Sequence, residues 1–306
     1  MVPNFSLGRF CNTKGQTRLC LVLDEQAYDL SVSGRPAYAS MQAWLQAAAG
    51  RVPEALAGLR SLAAELAPIG SAEDLLSGAL GLSVLPPLDT QEVWACGVTY
   101  EMSRSARMRE SEEPTIYGRV YDAPRPEIFF KATPHRVVGP GQEVAIREDS
   151  TWDVPEPEMV LVVTPKMEIV GYTVGNDMSS RSIEGENPLY LPQAKVYDRC
   201  CALGPLVRLA AEDFDPLDQV VTCKIWRDGA VGFEGETHTA KIHRPLGDLV
   251  KYLGRCNSFP EGVFVLTGTG IVPPDTFSLA AGDIVEIIFD GLGTLTNPVM
   301  VLQVQD

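Results

Sequence analysis

Pro155-Glu156-Pro157-Glu158 runs directly into Met159-Val160-Leu161-Val162-Val163, a proline-interrupted approach to an unbroken apolar run. The two prolines fix φ and remove backbone donors, so this reads as the start of a strand or its edge. Residues two apart on a strand point to one face, so Glu156 and Glu158 project together. Two like charges side by side cost free energy unless a cation or a proton sits between them. The next run, Ile169 to Val174, reads as a second strand and stops at Gly175-Asn176-Asp177, which puts a third carboxylate at a strand end. Three carboxylates with no histidine nearby form a hard, all-oxygen donor set. Such a set suits Mg²⁺, Mn²⁺ or Ca²⁺ and disfavours Zn²⁺ or Cu²⁺. Spacing alone leaves a metal site and a solvated Glu-Pro-Glu edge on equal footing, since Glu-x-Glu is common.

The same texture extends outward. Short apolar runs recur between Gly, Pro and Asp at Glu127–Phe130, Val220–Trp226, Val263–Leu266, Ile284–Phe289 and Val299–Val304. Strands at this frequency, with few helical stretches between them, predict a β-rich barrel or sandwich core. Asp290-Gly291-Leu292-Gly293 reads as a turn between the last two strands. Towards the N-terminus the pattern changes. Phe5-Ser6-Leu7 and Leu19–Leu23 fit a small hairpin, and Met41 to Leu66 reads as helix interrupted at Gly50-Arg51-Val52-Pro53. Leu85-Pro86-Pro87-Leu88-Asp89 reads as an extended linker. The expected fold class is therefore α+β and β-rich, with a small N-terminal α/β domain over 1–88 and a β-rich domain over 89–306.

Composition narrows the function. The 306 residues carry 25 Lys+Arg against 40 Asp+Glu, a net charge of −15. That balance argues against nucleic acid and against an anionic membrane surface. No stretch approaches the ~20 apolar residues of a membrane span. The first residues lack the basic and apolar regions of a signal peptide. Seven cysteines, odd in number and without Cys-x-x-Cys, argue against a disulfide framework and suit a reducing cytoplasm. The histidines are His135, His238 and His243, so chemistry that needs several imidazoles is already constrained.

Four further features carry potential chemistry. Thr99 to Glu113 is helix-permissive and holds Arg104, Arg107 and Arg109. A solvated surface helix is the favoured reading, and a lid presenting cations to an anionic substrate is the alternative. Lys195, in Gln193-Ala194-Lys195-Val196-Tyr197-Asp198, is either a surface lysine or a group beside the metal. Cys200-Cys201 reads as buried packing. Thr267-Gly268-Thr269-Gly270 follows a strand, and its N–H groups and hydroxyls offer a cradle for a carboxylate.

In order, Pro155–Met159, Gly175-Asn176-Asp177-Met178-Ser179, Gln193–Asp198, Leu203-Gly204-Pro205 and Thr267–Gly270 together resemble the fumarylacetoacetate hydrolase superfamily over about residues 90 to 304. The resemblance implies the family's mixed β core, a homodimer or homotetramer, metal ligands Glu156, Glu158 and Asp177, and an active-site lysine at Lys195. Gly97–Glu101, Ile116-Tyr117, Phe129-Phe130-Lys131 and Ile183–Tyr190 resemble the branch that acts on 2-keto-3-deoxy-D-arabinonate in pentose catabolism. This implies a Mg²⁺-dependent carbon–oxygen lyase, with Mn²⁺ or Ca²⁺ as alternatives. It would dehydrate a small anionic 2-keto-3-deoxy pentonate to a 2,5-dioxo acid. Lys195 is expected to be the base if burial lowers its pKa, or else a cation holding the enolate oxygen. Glu184, Glu101 or a metal-bound water is expected to supply the proton for the leaving hydroxyl. Ser179, Arg181, Thr269, Tyr100 and Arg104 are the expected substrate contacts. The alternatives are an acylpyruvate hydrolase or an oxaloacetate decarboxylase on the same metal site, and a metal-stabilised binding protein. Hydrolysis would need a His–Glu pair to activate water, and residues 99–122 contain no histidine.

Overall fold

The computed structural model describes residues 2–110 and 114–304. The strand Pro157–Val163 is buried at every position because it lies inside a sheet, between Ile169–Asp177 and Val263–Leu266. Both its faces are covered, which accounts for an unbroken apolar run in place of alternation. Pro157 occupies its first position, where a missing donor is tolerated, so the stretch is a strand start and not a sheet edge.

Among the described residues this sheet has twelve strands. Ten run in the order Gly70–Ser71, Gln26–Asp29, Thr17–Leu23, Ser6–Cys11, Cys201–Leu209, Ile169–Asp177, Pro157–Val163, Val263–Leu266, Glu92–Gly97, Glu127–Ala132. A five-stranded sheet, Ala230–His238, Val220–Arg227, Ile284–Phe289, Gly293–Leu302 and Val144–Arg147, packs on the strands Ile169–Asp177 and Cys201–Leu209. Asp153–Val154 and Ser179–Ser180 form a small ribbon that leads into the carboxylate stretch.

The N-terminal hairpin forms as expected, Ser6–Cys11 with Thr17–Leu23. The helical stretch divides into Met41–Ala48 and Val52–Ala63, broken at the glycine and proline. The sheet crosses the boundary placed near residue 88. Ser6 and Leu7 pair with Arg208 and Val207, and Leu7, Trp44 and Leu45 share one hydrophobic core with Val160 to Val163.

Two strands escaped the sequence reading for physical reasons. Glycine and proline both weaken a strand signal, yet Gly204-Pro205 lies inside the strand Cys201–Leu209, where Gly204 takes a φ of +137° and the register with Ile169–Asp177 shifts. A glycine at a positive φ inside a strand marks an irregularity that the sheet accommodates. Ala230–His238 is an edge strand with few apolar residues, so it leaves little hydrophobic signal.

Leu7→Ala tests the continuity of the sheet across residue 88. It is expected to lower global stability by about 2–5 kcal/mol. The readout is a lower denaturant midpoint for one transition with unchanged slope. A separate early transition would show instead that the first 88 residues unfold independently.

Candidate active site

Strand register assembles the carboxylates. Glu158 lies opposite Gly175, and the Asp177 N–H donates to the Glu156 carbonyl at 3.0 Å. Residues opposite each other in an antiparallel pair share a face, as do residues two apart. Glu156, Glu158 and Asp177 therefore converge, with oxygens within 4.8 Å of one another, and all three are buried. Gly175 makes this possible, since a Cβ there would fall 2.5 Å from Val160 and 2.6 Å from Leu266.

The third strand completes the arrangement. Val263–Leu266 pairs with Val160–Val163, and the chain beyond it brings the Gly268 N–H to Glu158 Oε2 at 2.6 Å. Gly268 takes a φ of +90°, and a Cβ there would sit 2.0 Å from Thr99 Oγ1. The loop thus cradles a carboxylate, but that carboxylate is Glu158, not one from a bound molecule. Thr269 lines the cavity while its hydroxyl both accepts from the Ile271 N–H and donates to the Ile271 carbonyl.

Four cations answer the clustered charge. Lys195, at the end of the short helix Leu191–Lys195, reaches Glu156 Oε2 at 2.8 Å and Asp177 Oδ2 at 3.0 Å. Lys131 is fully buried at 2.6 Å from Asp177 Oδ1, and it donates to the carbonyls of Met178 and Lys195. Arg107 and Arg181 both approach Glu156 Oε1, at 2.8 and 3.0 Å. Burial pushes the Glu156 carboxyl up, but Lys195 and Arg107 hold it down at about 2. Glu158 goes the other way: burial, Asp177 and Glu156 push it well above the usual carboxylate range. Burial pulls the Lys195 ammonium down, yet Asp177, Glu156 and Glu184 hold it above the ordinary lysine value. The expectation that burial would free Lys195 to act as a neutral base is thus corrected.

The donor set fits a hard divalent cation. It consists of carboxylate oxygens alone, and one member is driven towards protonation by the other two. A cation between them relieves the same repulsion that a proton does.

The cavity beside this triad is lined by Gly97, Arg107, Glu127, Phe129, Glu184, Lys195 and Thr269, among others. Glu184, on the helix Arg181–Glu186, is held by the Ser179 hydroxyl at 3.2 Å and by Arg107 Nε at 3.1 Å. Ser179 therefore orients Glu184 and does not line the cavity. The helix Glu101–Glu110 covers the cavity and buries Ser103, Ala106 and Arg107 beneath it. It is a lid and not a solvated helix, although Ser111, Glu112 and Glu113 lie outside the described residues. Glu101 and Arg104 are corrections. They pair with each other at 3.2 Å on the outer face of the lid, where the Glu101 side chain is 61% exposed. Tyr100 is buried against Gly270 and does not line the cavity.

Three important residues were missed. Lys131 enters the sequence reading only within Phe129-Phe130-Lys131, with no role given to it, and Arg107 is one of three arginines in a permissive helix. Glu127 opens the strand Glu127–Ala132 directly opposite Gly97. A Cβ at Gly97 would fall 2.1 Å from Glu127 Oε2, so the glycine leaves the space that the carboxylate occupies. Burial, then Glu184, pushes Glu127 up to about 7. None of the described residues lining the cavity is a histidine. His135 is exposed, His238 pairs with Asp218, and His243 stacks on Tyr121 at 4.4 Å.

Residues 116–300 match the family profile described as fumarylacetoacetate (FAA) hydrolase C-terminal. A Haloferax volcanii protein named probable 2-keto-3-deoxyxylonate dehydratase is 54% identical over 70% of this chain and 73% of its own. The 2-dehydro-3-deoxy-D-arabinonate dehydratase of Saccharolobus solfataricus is 47% identical over 71% of this chain and 74% of its own. A solved structure, 2-keto-3-deoxy-D-arabinonate dehydratase complexed with magnesium and 2,5-dioxopentanoate, superposes with a TM-score of 0.81 at 35% identity, covering 98% of this chain and all of that one.

Two outcomes test the electrostatics. In the metal-free protein the raised Glu158 contributes stability that is complete below its ordinary value of about 4.5 and is lost as pH rises through its folded value. Glu158→Gln should flatten this fall in denaturation measured from pH 5 to 8, and an unchanged slope would contradict the assignment. Lys131→Met strips a buried carboxylate and two carbonyls of their donor and is expected to cost about 3–5 kcal/mol, measured by chemical denaturation.

Proposed function

The chain belongs to the fumarylacetoacetate hydrolase family, and on that premise we propose that the cavity under its lid dehydrates a 2-keto-3-deoxy pentonate to a 2,5-dioxo acid. The protein is a divalent-metal-dependent carbon–oxygen lyase, with Mg²⁺ its metal. One observation carries the assignment of roles. The cavity joins a buried carboxylate triad to a fourth carboxylate poised at about 7, and no described lining residue is an imidazole. Acylpyruvate hydrolysis would call for a histidine-assisted water, and the three histidines lie elsewhere.

Glu156, Glu158 and Asp177 would hold the ion. When bound, Mg²⁺ draws electron density from a 2-oxo acid head and acidifies the protons on C3. Glu127 is the base in this reading. A carboxylate near neutrality can both take a proton and return it at physiological pH. It removes the C3 proton and passes it to the departing C4 hydroxyl, so that one water leaves and a C3–C4 double bond forms. A proton then leaves C5 as another joins C3, which shifts the double bond to C4–C5, and the resulting enol passes its hydroxyl proton to C4 to leave an aldehyde at C5. Lys195 stays an ammonium and supplies a fixed positive charge beside the acid head. Glu184, fastened by Ser179 and Arg107, borders the hydroxyl-bearing chain and positions it. Phe129 and the lid helix keep bulk water from the reacting carbons. We further infer a homodimeric or homotetrameric assembly and a cytoplasmic setting, in keeping with the free cysteines. Among the described residues no helix is long and apolar enough to cross a membrane.

Turnover of 2-keto-3-deoxy-pentonate with Mg²⁺, followed by mass, should show loss of one water and should stop in EDTA. kcat/KM should rise with pH as Glu127 loses its proton. Glu127→Gln should lower kcat by about 10²–10⁴-fold while retaining the thermal stabilisation by Mg²⁺. Unchanged turnover in that variant would remove Glu127 from the mechanism.

A further inference from the structure

Behind the cavity lies a second, smaller chamber between the lid and the helix Arg181–Glu186, lined by Arg107, Glu110, Tyr117, Arg181, Glu184 and Gly185. Arg107 and Glu184 are walls of both spaces, so the chamber abuts the site where the substrate sits. Glu110 closes it from the lid. Its Oε2 accepts from Arg107 Nη1 at 3.2 Å and from Arg181 Nη1 at 3.0 Å, and the side chain is 4% exposed. Gly185 lets the lid approach this closely, since a Cβ there would fall 2.8 Å from the Glu110 carbonyl oxygen.

Two buried polar atoms of these walls have no hydrogen-bond partner among the described residues: Glu110 Oε1 and Arg181 Nε. One is an acceptor and the other a donor. Leaving either unmade in a closed site costs free energy. A hydroxyl satisfies both, because it donates and accepts at once, and it would take the place a water fills in the free protein. A second carboxylate or a phosphate has no proton to give Glu110 Oε1 and would leave that acceptor unmade.

We propose that this chamber is the specificity pocket for the terminal hydroxyl of the substrate, with Glu110 accepting from that hydroxyl and Arg181 Nε donating to it. The proposal rests on the dehydratase reading, which puts the acid head at the triad and so directs the polyol end away from it. Glu110 is a substrate contact on the lid, so closure and recognition of the chain end occur together. Arg107 is a positioning residue that joins Glu110 and Glu184 on the chamber side to Glu156 on the triad side.

The test compares 2-keto-3-deoxy-pentonate with 4-hydroxy-2-oxopentanoate, which lacks the C5 hydroxyl and keeps the C3 protons and the C4 leaving group. Water loss from each is measured with Mg²⁺. A site built to hydrogen-bond a hydroxyl rejects the analogue lacking it, here by at least about 10²-fold in kcat/KM. In Glu110→Ala and in Arg181→Lys the ratio should collapse at least tenfold. Glu110→Gln, which restores an acceptor of the same size, should recover part of it. Thermal protection of the Mg²⁺-loaded variants by each compound gives the same ratio without turnover and covers a variant too slow to assay. A wild-type ratio near one, or a ratio unchanged in both Glu110→Ala and Arg181→Lys, overturns the pocket and leaves the dehydratase standing. A wild-type protein that dehydrates neither compound overturns the dehydratase reading itself.

Discussion

Three buried carboxylates crowded together are the constraint on which this structure turns. Left alone they would repel one another in a medium that screens poorly. The protein answers with two lysines, two arginines and one backbone N–H, each aimed at a particular oxygen. Those partners come from far apart in the chain, which is why the sheet must hold its register. A slip of one residue would turn Glu156 and Glu158 away from Asp177. The same constraint places the glycines: Gly175 and Gly268 admit the neighbouring strands and loop, and Gly97 leaves room for Glu127. The compensation is incomplete, since Glu158 is still pushed towards protonation. That residual strain is what a divalent cation would relieve.

The division of labour among the charged groups follows from how each is surrounded. Lys195 and Lys131 are both buried lysines, and burial alone would favour their neutral forms. Asp177 reverses this for both, so neither is a free base. Glu127 stands apart from those pairs. Its nearest influences are burial and other carboxylates, with Arg107 and Lys195 offsetting them in part, and it comes to rest where a proton can move either way at neutral pH. One cavity thus contains a fixed anionic cluster, fixed cations and one mobile-proton carboxylate.

Much of this was legible in the sequence where the signal was local. The two-residue spacing of Glu156 and Glu158 already placed them on one face, and the glycine before Asn176-Asp177 marked the strand end. The hairpin near the N-terminus and the break in the helical stretch were equally local, because glycine, proline and alternation are properties of neighbouring residues. What the sequence could not display was distance folded across the chain. Nothing local marks Lys131 or Glu127 as a charge partner of the triad or a member of its cavity, and their importance comes from which strand lies beside which. Arg107 was indistinguishable from Arg104 and Arg109 until the helix acquired an inner and an outer face. The strand Cys201–Leu209 was hidden by Gly204-Pro205, where tertiary pairing outweighs local turn chemistry. The N-terminal segment reads as self-contained because its patterning differs, yet its strands hydrogen-bond into the same sheet.

Calorimetric titration of the metal-free protein with Mg²⁺, repeated at neutral pH in buffers of different ionisation enthalpy, tests the central claim most directly. A triad that holds a proton on Glu158 until a cation replaces it should release protons as the ion binds, and Glu158→Gln should release fewer. Binding of Mg²⁺ to the wild-type protein with no proton release would contradict this, because Glu158 would then carry no proton for the cation to displace.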